Sequence, residues 1–347
     1  MMKQKITAAI IFIILIFSVQ SVPAQNVDKR HADAATKENR SIAEAEIGRL
    51  ARMAGGEAGV SAVHIETGRH LSVSGQTRFP MASTYKIPIA VQMLTLVDQG
   101  TIKLDSMVDI TPSDLRPGSG ILAKLLNKPG LTLSVGNLFN LMMSVSDNTA
   151  TDILLALVGG AEAVNNRMKT IGIGDINIDR TTLEMIADAS GIRKRPSDMT
   201  AAQYEKLAAD VDPATRKKMR KQFNADPRDT ATPEAMATLL QGIYRKTYLK
   251  ADTAELLLET MQRSQTGEMR LKGMLPPGTP VAHKTGTLRE TTNDVGMITL
   301  PNGAGHIVIA VFIKSSQKEA GDRERAIADI ARAVYDYYLF GVCRNEN

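Results

Sequence analysis

Residues 80–97 read PMASTYKIPIAVQMLTLV, and this run decides the fold. Past Ser83 nearly every position is apolar: Tyr85, Ile87, Ile89, Ala90, Val91, Met93, Leu94, Leu96 and Val97 leave no polar stripe for solvent. A helix that is apolar all round has to be covered on every side, so the run predicts a helix inside a core. One charge interrupts it. Lys86 stands three residues after Ser83, which puts both on one face at the helix start. Burying an unpaired ammonium is costly, so a lysine there points to chemistry. Burial favours the neutral amine, which can accept the Ser83 proton, and the N–H groups of the helix start can face an acyl oxygen.

The elements that must surround this helix are legible on both sides. Upstream, a Ser41–Glu44 capping box predicts a helix to about Met53 with Ile42, Ile47, Leu50 and Ala51 as its stripe, preceded by a polar leader over 25–40. Gly59 to Val73 alternates around Glu66-Thr67-Gly68-Arg69, a hairpin with Val60, Ala62 and His64 on one face. Downstream, Val281–Thr287, Asp294–Leu300 and His306–Lys314 read as strands, and Asp322–Leu339 as a final amphipathic helix. Strands at both ends with helices between them predict an α+β (mixed α/β) fold. Its antiparallel five-stranded sheet is built from both termini and flanked by helices, and an all-helical lobe over about 81–261 is inserted.

Composition sets the outer bounds. The chain has 347 residues, 43% hydrophobic and 23% charged, as an ordinary globular protein does. Lys3 and Lys5 precede an apolar run from Ile6 to Val19, and Val22-Pro23-Ala24 offers a small-residue cleavage site, so residues 1–24 read as a signal peptide. Export to the periplasm or medium follows, with no membrane span left after cleavage. Cys343 stands alone, so no internal disulfide is expected. Without the two leader lysines the net charge of +5 falls to +3, too small a surplus to indicate a nucleic-acid partner. The five histidines show no metal-ligand spacing, no Gly-x-Ser-x-Gly occurs, and Gly172-x-Gly174 lacks the third glycine of a dinucleotide loop. A metalloenzyme, an α/β-hydrolase and a nucleotide enzyme are disfavoured.

Two further motifs join Ser83-x-x-Lys86. Ser146-Asp147-Asn148 lies between two apolar helical runs, where its polar atoms need partners; Asp147 by itself also reads as a helix cap. Lys284-Thr285-Gly286 lies on a strand, where main-chain groups can pair with an extended ligand, Lys284 and Thr285 suit a carboxylate, and Gly286 leaves room for the approach. The N–H of Thr287 with that of Ser83 would hold an oxyanion. Each motif alone is weak, and Ser315-x-x-Lys318 shows how easily the first recurs in a polar loop. The set is specific.

Together the three motifs resemble those of class A serine β-lactamases, in the β-lactamase/transpeptidase-like superfamily. The resemblance extends over nearly the whole mature chain, through Gly118-Ser119-Gly120, 146–155, Asp226-Pro227-Arg228-Asp229-Thr230 and 232–236. VAHKTGT (281–287) and TNDVG (292–296) look most like the extended-spectrum branch. It implies attack of Ser83 on a β-lactam carbonyl, with Ser146 relaying a proton to the leaving nitrogen and Asn148 touching Lys86 and the substrate's side-chain amide. It further implies hydrolysis of the acyl-enzyme without metal or cofactor, by a monomer acting on a small molecule.

The sequence departs from that family in one loop. By resemblance Arg180 and Asp229 clamp its ends, but Thr182 stands where a glutamate normally activates water, and Ile186 where a polar partner is usual. Glu184 is the nearest carboxylate and is the expected substitute. Losing such a base is typically worth about 10²–10⁴-fold in rate. The loop also carries an insertion at 187–226, 40 residues with 9 Lys+Arg and 6 Asp+Glu, with helices expected at Ala201–Ala209 and around Arg216–Phe223. Its basic run suits a solvated face or an acidic envelope polymer. No arginine follows Thr287 at the place many members use for the substrate carboxylate; Arg289 or Arg270 can substitute. Two rival functions therefore remain: a penicillin-binding or peptidase-like acyl-enzyme that deacylates slowly on cell-wall peptides, and a non-catalytic ligand-binding or sensor domain.

Overall fold

Strands from the two ends of the chain meet in one antiparallel sheet, as the alternation of Gly59–Val73 and the apolar runs after residue 281 require. The computed structural model describes residues 24–192 and 199–342. The expected leader up to residue 23, residues 193–198 of the insertion and Cys343 fall outside them. Contacts divide the chain into a segment through Ser41 and a unit from Ile42 to Asn347, and the second holds the sheet, the lobe and every motif singled out in the sequence.

Helix α1 (Ala24–Met53) starts earlier than the Ser41–Glu44 box predicts, so the polar stretch 25–40 is helical. Residues 25–47 contain no Gly or Pro to stop it, and the Glu44 carboxylate accepts the Ser72 N–H at 3.0 Å. The hairpin β1 (Glu57–His64) and β2 (His70–Val73) follows as expected. The inserted lobe then runs through β3 (Phe79–Pro80), α2 (Lys86–Asp98), β4 (Met107–Ile110), α3 (Leu122–Leu125), β5 (Leu131–Ser134), α4 (Val135–Ser144), α5 (Asn148–Leu157) and α6 (Gly160–Thr170). It continues with α7 (Thr182–Ser190), α8 (Ala201–Asp210), α9 (Pro213–Ala225), β6 (Thr230–Ala231), α10 (Pro233–Tyr244) and α11 (Ala251–Gln262). The chain returns to the sheet with β7 (Val281–Leu288), β8 (Thr291–Thr299) and β9 (His306–Lys314), and α12 (Ala320–Val342) closes it.

Among the described residues the sheet order is β2-β1-β9-β8-β7, antiparallel throughout. Strand β9 shows why it is buried on both sides. Ile307, Ile309, Val311 and Ile313 pack with Ile47 and Leu50 of α1 and Ile327, Ile330 and Val334 of α12, while Val308, Ala310 and Phe312 join the core of the lobe. A strand covered on both faces reads as a continuous apolar run, and HIVIAVFIK does. On β1, Val60, Ala62 and His64 share the α12 face as expected, with His64 stacked on Tyr338 at 5.5 Å. Helix α2 is apolar all round because it is the centre of the lobe; Ile87, Ile89, Ala90, Val91, Met93 and Leu94 have no exposed surface.

Three placements bring the polar motif residues of lobe and sheet to one spot. Ser83 lies in a tight 3-10 turn, Ala82–Tyr85, that leads into α2. Pairing of β3 with β6 brings the exit of the insertion against that turn, where the Met81 N–H donates to the Asp229 carbonyl at 2.9 Å. Strand β7 is the sheet edge nearest the turn, so close that a Cβ on Gly286 would stand 2.5 Å from the Met81 carbonyl oxygen. The glycine thus serves the approach of two protein segments, whereas the sequence suggested the approach of a ligand.

Candidate active site

Ser83 is half-buried, and Lys86, one 3-10 turn on, is completely enclosed. An i, i+3 pair nearly eclipses in a 3-10 turn, so the tight geometry keeps the two side chains on one face. Lys86 Nζ reaches the Ser146 carbonyl at 2.8 Å, the Ser146 hydroxyl at 3.1 Å and Asn148 Oδ1 at 3.0 Å. Ser146 is delivered to it by the break between α4 and α5, where its φ of 58° lies in the left-handed region. Lys284, also without exposed surface, reaches the same Ser146 hydroxyl from β7 at 2.9 Å and the Thr285 carbonyl at 3.1 Å. One hydroxyl therefore bridges two buried lysines.

Burial dominates the electrostatics. It pulls the Lys86 amine down to about 7, against the opposing charges of Asp147 and Asp152. Burial also pulls Lys284 well below the usual lysine value, and the charge of Lys86 pushes the same way. Two cations cannot comfortably share one hydroxyl. With Lys86 neutral the pattern closes: Lys284 donates to Ser146, Ser146 donates to Lys86, and Lys86 donates to the Ser146 carbonyl and Asn148.

Asp147 behaves as the helix cap that its position suggested. Its carboxylate accepts Ala150 N–H at 2.9 Å, Ile121 N–H at 2.7 Å and Leu122 N–H at 2.9 Å, which holds the Gly118-Ser119-Gly120 segment against α5. Asn148 Nδ2 donates to the Pro117 carbonyl at 2.9 Å. On β7, Thr285 Oγ1 is 2.7 Å from Thr266 Oγ1, and the exposed Thr287 accepts from Arg270 at 2.8 Å. Of the two candidate arginines, Arg270 thus lies beside the strand, where it pairs with Glu324 at 3.0 Å, and Arg289 is exposed on the β7–β8 turn.

Several supporting residues escaped the sequence reading. Asn293 of β8 donates to both the Pro80 and Met81 carbonyls at 2.9 Å and accepts the Ile313 N–H, tying the Ser83 turn to the sheet. Beneath Lys284, His283 Nδ1 meets the Asp294 carboxylate at 2.9 Å, both fully buried. The available signal was TND (292–294), polar residues running straight into the apolar part of the same strand, which need partners once buried.

The loop clamp is present and enlarged. Arg180 Nε pairs with Asp229, its Nη1 meets Asp188 at 2.9 Å and Asp226 at 3.3 Å, and its guanidinium lies 5.1 Å from the Phe223 ring centre. Asp188, Phe223 and Asp226 all belong to 187–226, so the clamp also anchors the insertion. Helices α8 and α9 appear where expected, and Tyr204, Leu207 and Val211 build a small separate core with Leu183, Ile192 and Met199.

Glu184, the expected substitute base, takes part in a helix cap. Its Oε2 accepts the Thr181 N–H at 2.9 Å and the Thr181 hydroxyl at 3.0 Å while Thr181 caps the Glu184 N–H, a capping box that starts α7. One oxygen of the carboxylate thus serves the helix start.

A family model described as the beta-lactamase enzyme family matches residues 42–338. The chain belongs to the β-lactamase enzyme family. It is 33% identical to the beta-lactamase VEB-1 of Pseudomonas aeruginosa over 277 residues, 78% of this chain and 81% of that one. The crystal structure of the TLA-1 extended-spectrum β-lactamase superposes with a TM-score of 0.72 at 30% identity, covering 87% of this chain and 99% of the other. An ancestral class A β-lactamase does so with a TM-score of 0.69 at 30% identity, covering 85% and 99%. The chain is a class A serine β-lactamase, and β-lactam hydrolysis is its activity. No described helix is long and apolar enough to cross a membrane.

Proposed function

We propose that this β-lactamase opens its substrate with Ser83 as nucleophile, Lys86 as base and Ser146 as proton relay. The observation that carries this assignment is the Ser146 hydroxyl, in reach of Lys86 at 3.1 Å and Lys284 at 2.9 Å. Lys284 and Thr285 receive the substrate carboxylate, and Asn148 the side-chain amide. Neutral Lys86 takes the Ser83 proton as Ser83 Oγ bonds to the β-lactam carbonyl carbon. The N–H groups of Ser83 and Thr287 hold the oxyanion. As the C–N bond breaks, the ring nitrogen takes the Ser146 proton and Ser146 takes one from Lys86, leaving an acyl ester on Ser83 for water to hydrolyse.

Export through the Lys3–Ala24 leader would bring the enzyme to the periplasm or medium, where a β-lactam is met; fractionation of the producing cell tests that part. For the chemistry, purified protein is mixed with a chromogenic cephalosporin while colour and intact mass are followed. Many turnovers, abolished in Ser83→Ala, are expected. An adduct on Ser83 that persists without turnover would instead support a penicillin-binding role, and no adduct with no colour would overturn the nucleophile assignment.

A further inference from the structure

The 187–226 insertion leans on the strand that carries Lys284. Near the end of α9, Asn224 Nδ2 donates to the Glu290 carboxylate of the β7–β8 turn at 2.8 Å. Ala189 of α7, Arg220 and Phe223 of α9, and Leu288 and Thr291 at the two sides of the turn close around a gap of about 10 Å³, room for at most one water. Phe223, 7% exposed, belongs to the core of the lobe, and Leu288 packs against that core. The turn is also fixed from behind, since the Glu290 carbonyl accepts the Ser316 N–H, just past β9, at 3.2 Å.

At its other end the loop reaches the nucleophile. Helix α7 begins at Thr182, whose N–H donates to Asp152 of α5 at 2.7 Å and whose hydroxyl is hydrogen-bonded to that of Tyr85. Tyr85 closes the Ala82–Tyr85 turn that carries Ser83, and Gly286 of β7 stands against the same turn. Because α9 packs on α7, the contacts form a closed circuit: the Ser83 turn, α7, α9, the β7–β8 turn, β7 and the Ser83 turn again.

The path of the substrate along β7 says what the circuit borders. With the carboxylate at Lys284 and Thr285 and the carbonyl oxygen at the Thr287 N–H, the ligand follows the strand in the direction of the chain. The carbonyl carbon is joined on one side to the ring nitrogen and on the other to the carbon that bears the acyl side chain, so that side chain leaves toward Leu288 and the β7–β8 turn. We propose that α9, through Asn224 and Glu290, is the wall of the substrate site on that side and determines which acyl side chains are accepted. The wall comes from the insertion, so it can shift while Lys86, Ser146 and Lys284 keep their hydrogen bonds.

That placement rests on the Ser83 acyl-enzyme and the substrate orientation proposed above, and the experiment tells the two apart. Intact mass is recorded, and kcat/KM is measured for one β-lactam with a compact acyl side chain and one with a bulky, branched side chain. The proteins are the wild type, Asn224→Ala, Glu290→Ala, Glu290→Gln and the double alanine variant. The ratio of the two constants is the readout, because a loss of folded enzyme lowers both alike. Asn224→Ala and Glu290→Ala should each move the ratio toward the bulky substrate by about tenfold, the order of a methylene-sized change in a pocket. The double variant should move it no further, since both substitutions remove one bond. Glu290→Gln keeps an acceptor for Asn224 and should hold the ratio within about twofold of wild type. Should Asn224→Ala fail to fold, Glu290→Ala breaks the same bond from the turn. A wild-type ratio in the alanine variants would overturn the wall, and a shift in Glu290→Gln as large as in Glu290→Ala would overturn the hydrogen bond as its support. If the wild type forms no adduct on Ser83 with either β-lactam, the nucleophile assignment itself falls, and the wall with it.

Discussion

Lys86 and Lys284, 198 positions apart in the chain, converge on one oxygen: the Ser146 hydroxyl lies 3.1 Å from the first Nζ and 2.9 Å from the second. The arrangement constrains the charge of the pair, because burial pulls both amines down and the charge of Lys86 pushes Lys284 down further.

Acylation should therefore depend on pH through Lys86. Its amine, pulled down to about 7, is the base in its deprotonated form, so the acylation rate should climb as pH rises from 6 to 8 and then level off. Single-turnover adduct formation across that range measures it. Lys86→Arg, which keeps a charge that cannot be lost, should slow acylation by about 10²-fold or more at every pH in the range. A flat wild-type profile would sink the neutral-lysine assignment.

Asn293 should matter as much to the nucleophile as to the sheet. Asn293→Ala strands the Pro80 and Met81 carbonyls and the Ile313 N–H, all lodged where water does not replace the lost partner. A cost of about 1–3 kcal/mol is expected from the groups left unpaired. Chemical denaturation should show that loss, and the acylation rate should fall alongside it because the Ser83 turn is no longer held. Asn293→Asp, which keeps the acceptor for Ile313 and loses the donor, should recover part of the stability and little of the rate.

Gly286→Ala probes the contact between β7 and the same turn. The new Cβ would stand 2.5 Å from the Met81 oxygen, with Ala82 and Thr84 side-chain atoms at 3.2 and 3.1 Å, so strand and turn must separate. Overpacking of this kind costs about 1–3 kcal/mol. Thermal unfolding and adduct formation on Ser83 should both register it; unchanged acylation would show that the turn tolerates displacement.

The architecture was readable because its signals are periodic. Alternation in β1, an apolar run in β9 and an all-round apolar α2 each follow from how many faces are covered, and that is written in local sequence. The three motifs were readable because each places its reactive groups within three residues. What stayed hidden depends on contacts between distant segments. Asp152 lies 30 positions from Thr182, and Asn293 lies more than 200 from the turn it holds. Glu184 carried two signals at once: its nearness in sequence to Thr182 suggested a substitute base, and its Thr-x-x-Glu spacing from Thr181 was that of the capping box which the structure forms.

The enlarged clamp should govern how firmly the insertion is held. Arg180 is 4% exposed at its side chain and binds Asp229, Asp188 and Asp226, so its loss leaves Asp229 buried without its cation and leaves Asp188 and Asp226, at the two ends of 187–226, to the exposed Arg228. Breaking a buried pair from one side typically costs about 3–5 kcal/mol. Arg180→Gln should therefore lower the unfolding midpoint and open 187–226 to limited proteolysis. Asp188→Asn should do far less, because Asp188 is 21% exposed at its side chain and Asp226 and Asp229 still hold the guanidinium. Phe223→Ala should fall between the two, removing the ring under the guanidinium and a 7%-exposed anchor of α9. If instead all three variants were cut no faster than wild type, the clamp would hold only the loop ends, and α8 would have to be fixed by its own small core around Leu183, Ile192 and Met199.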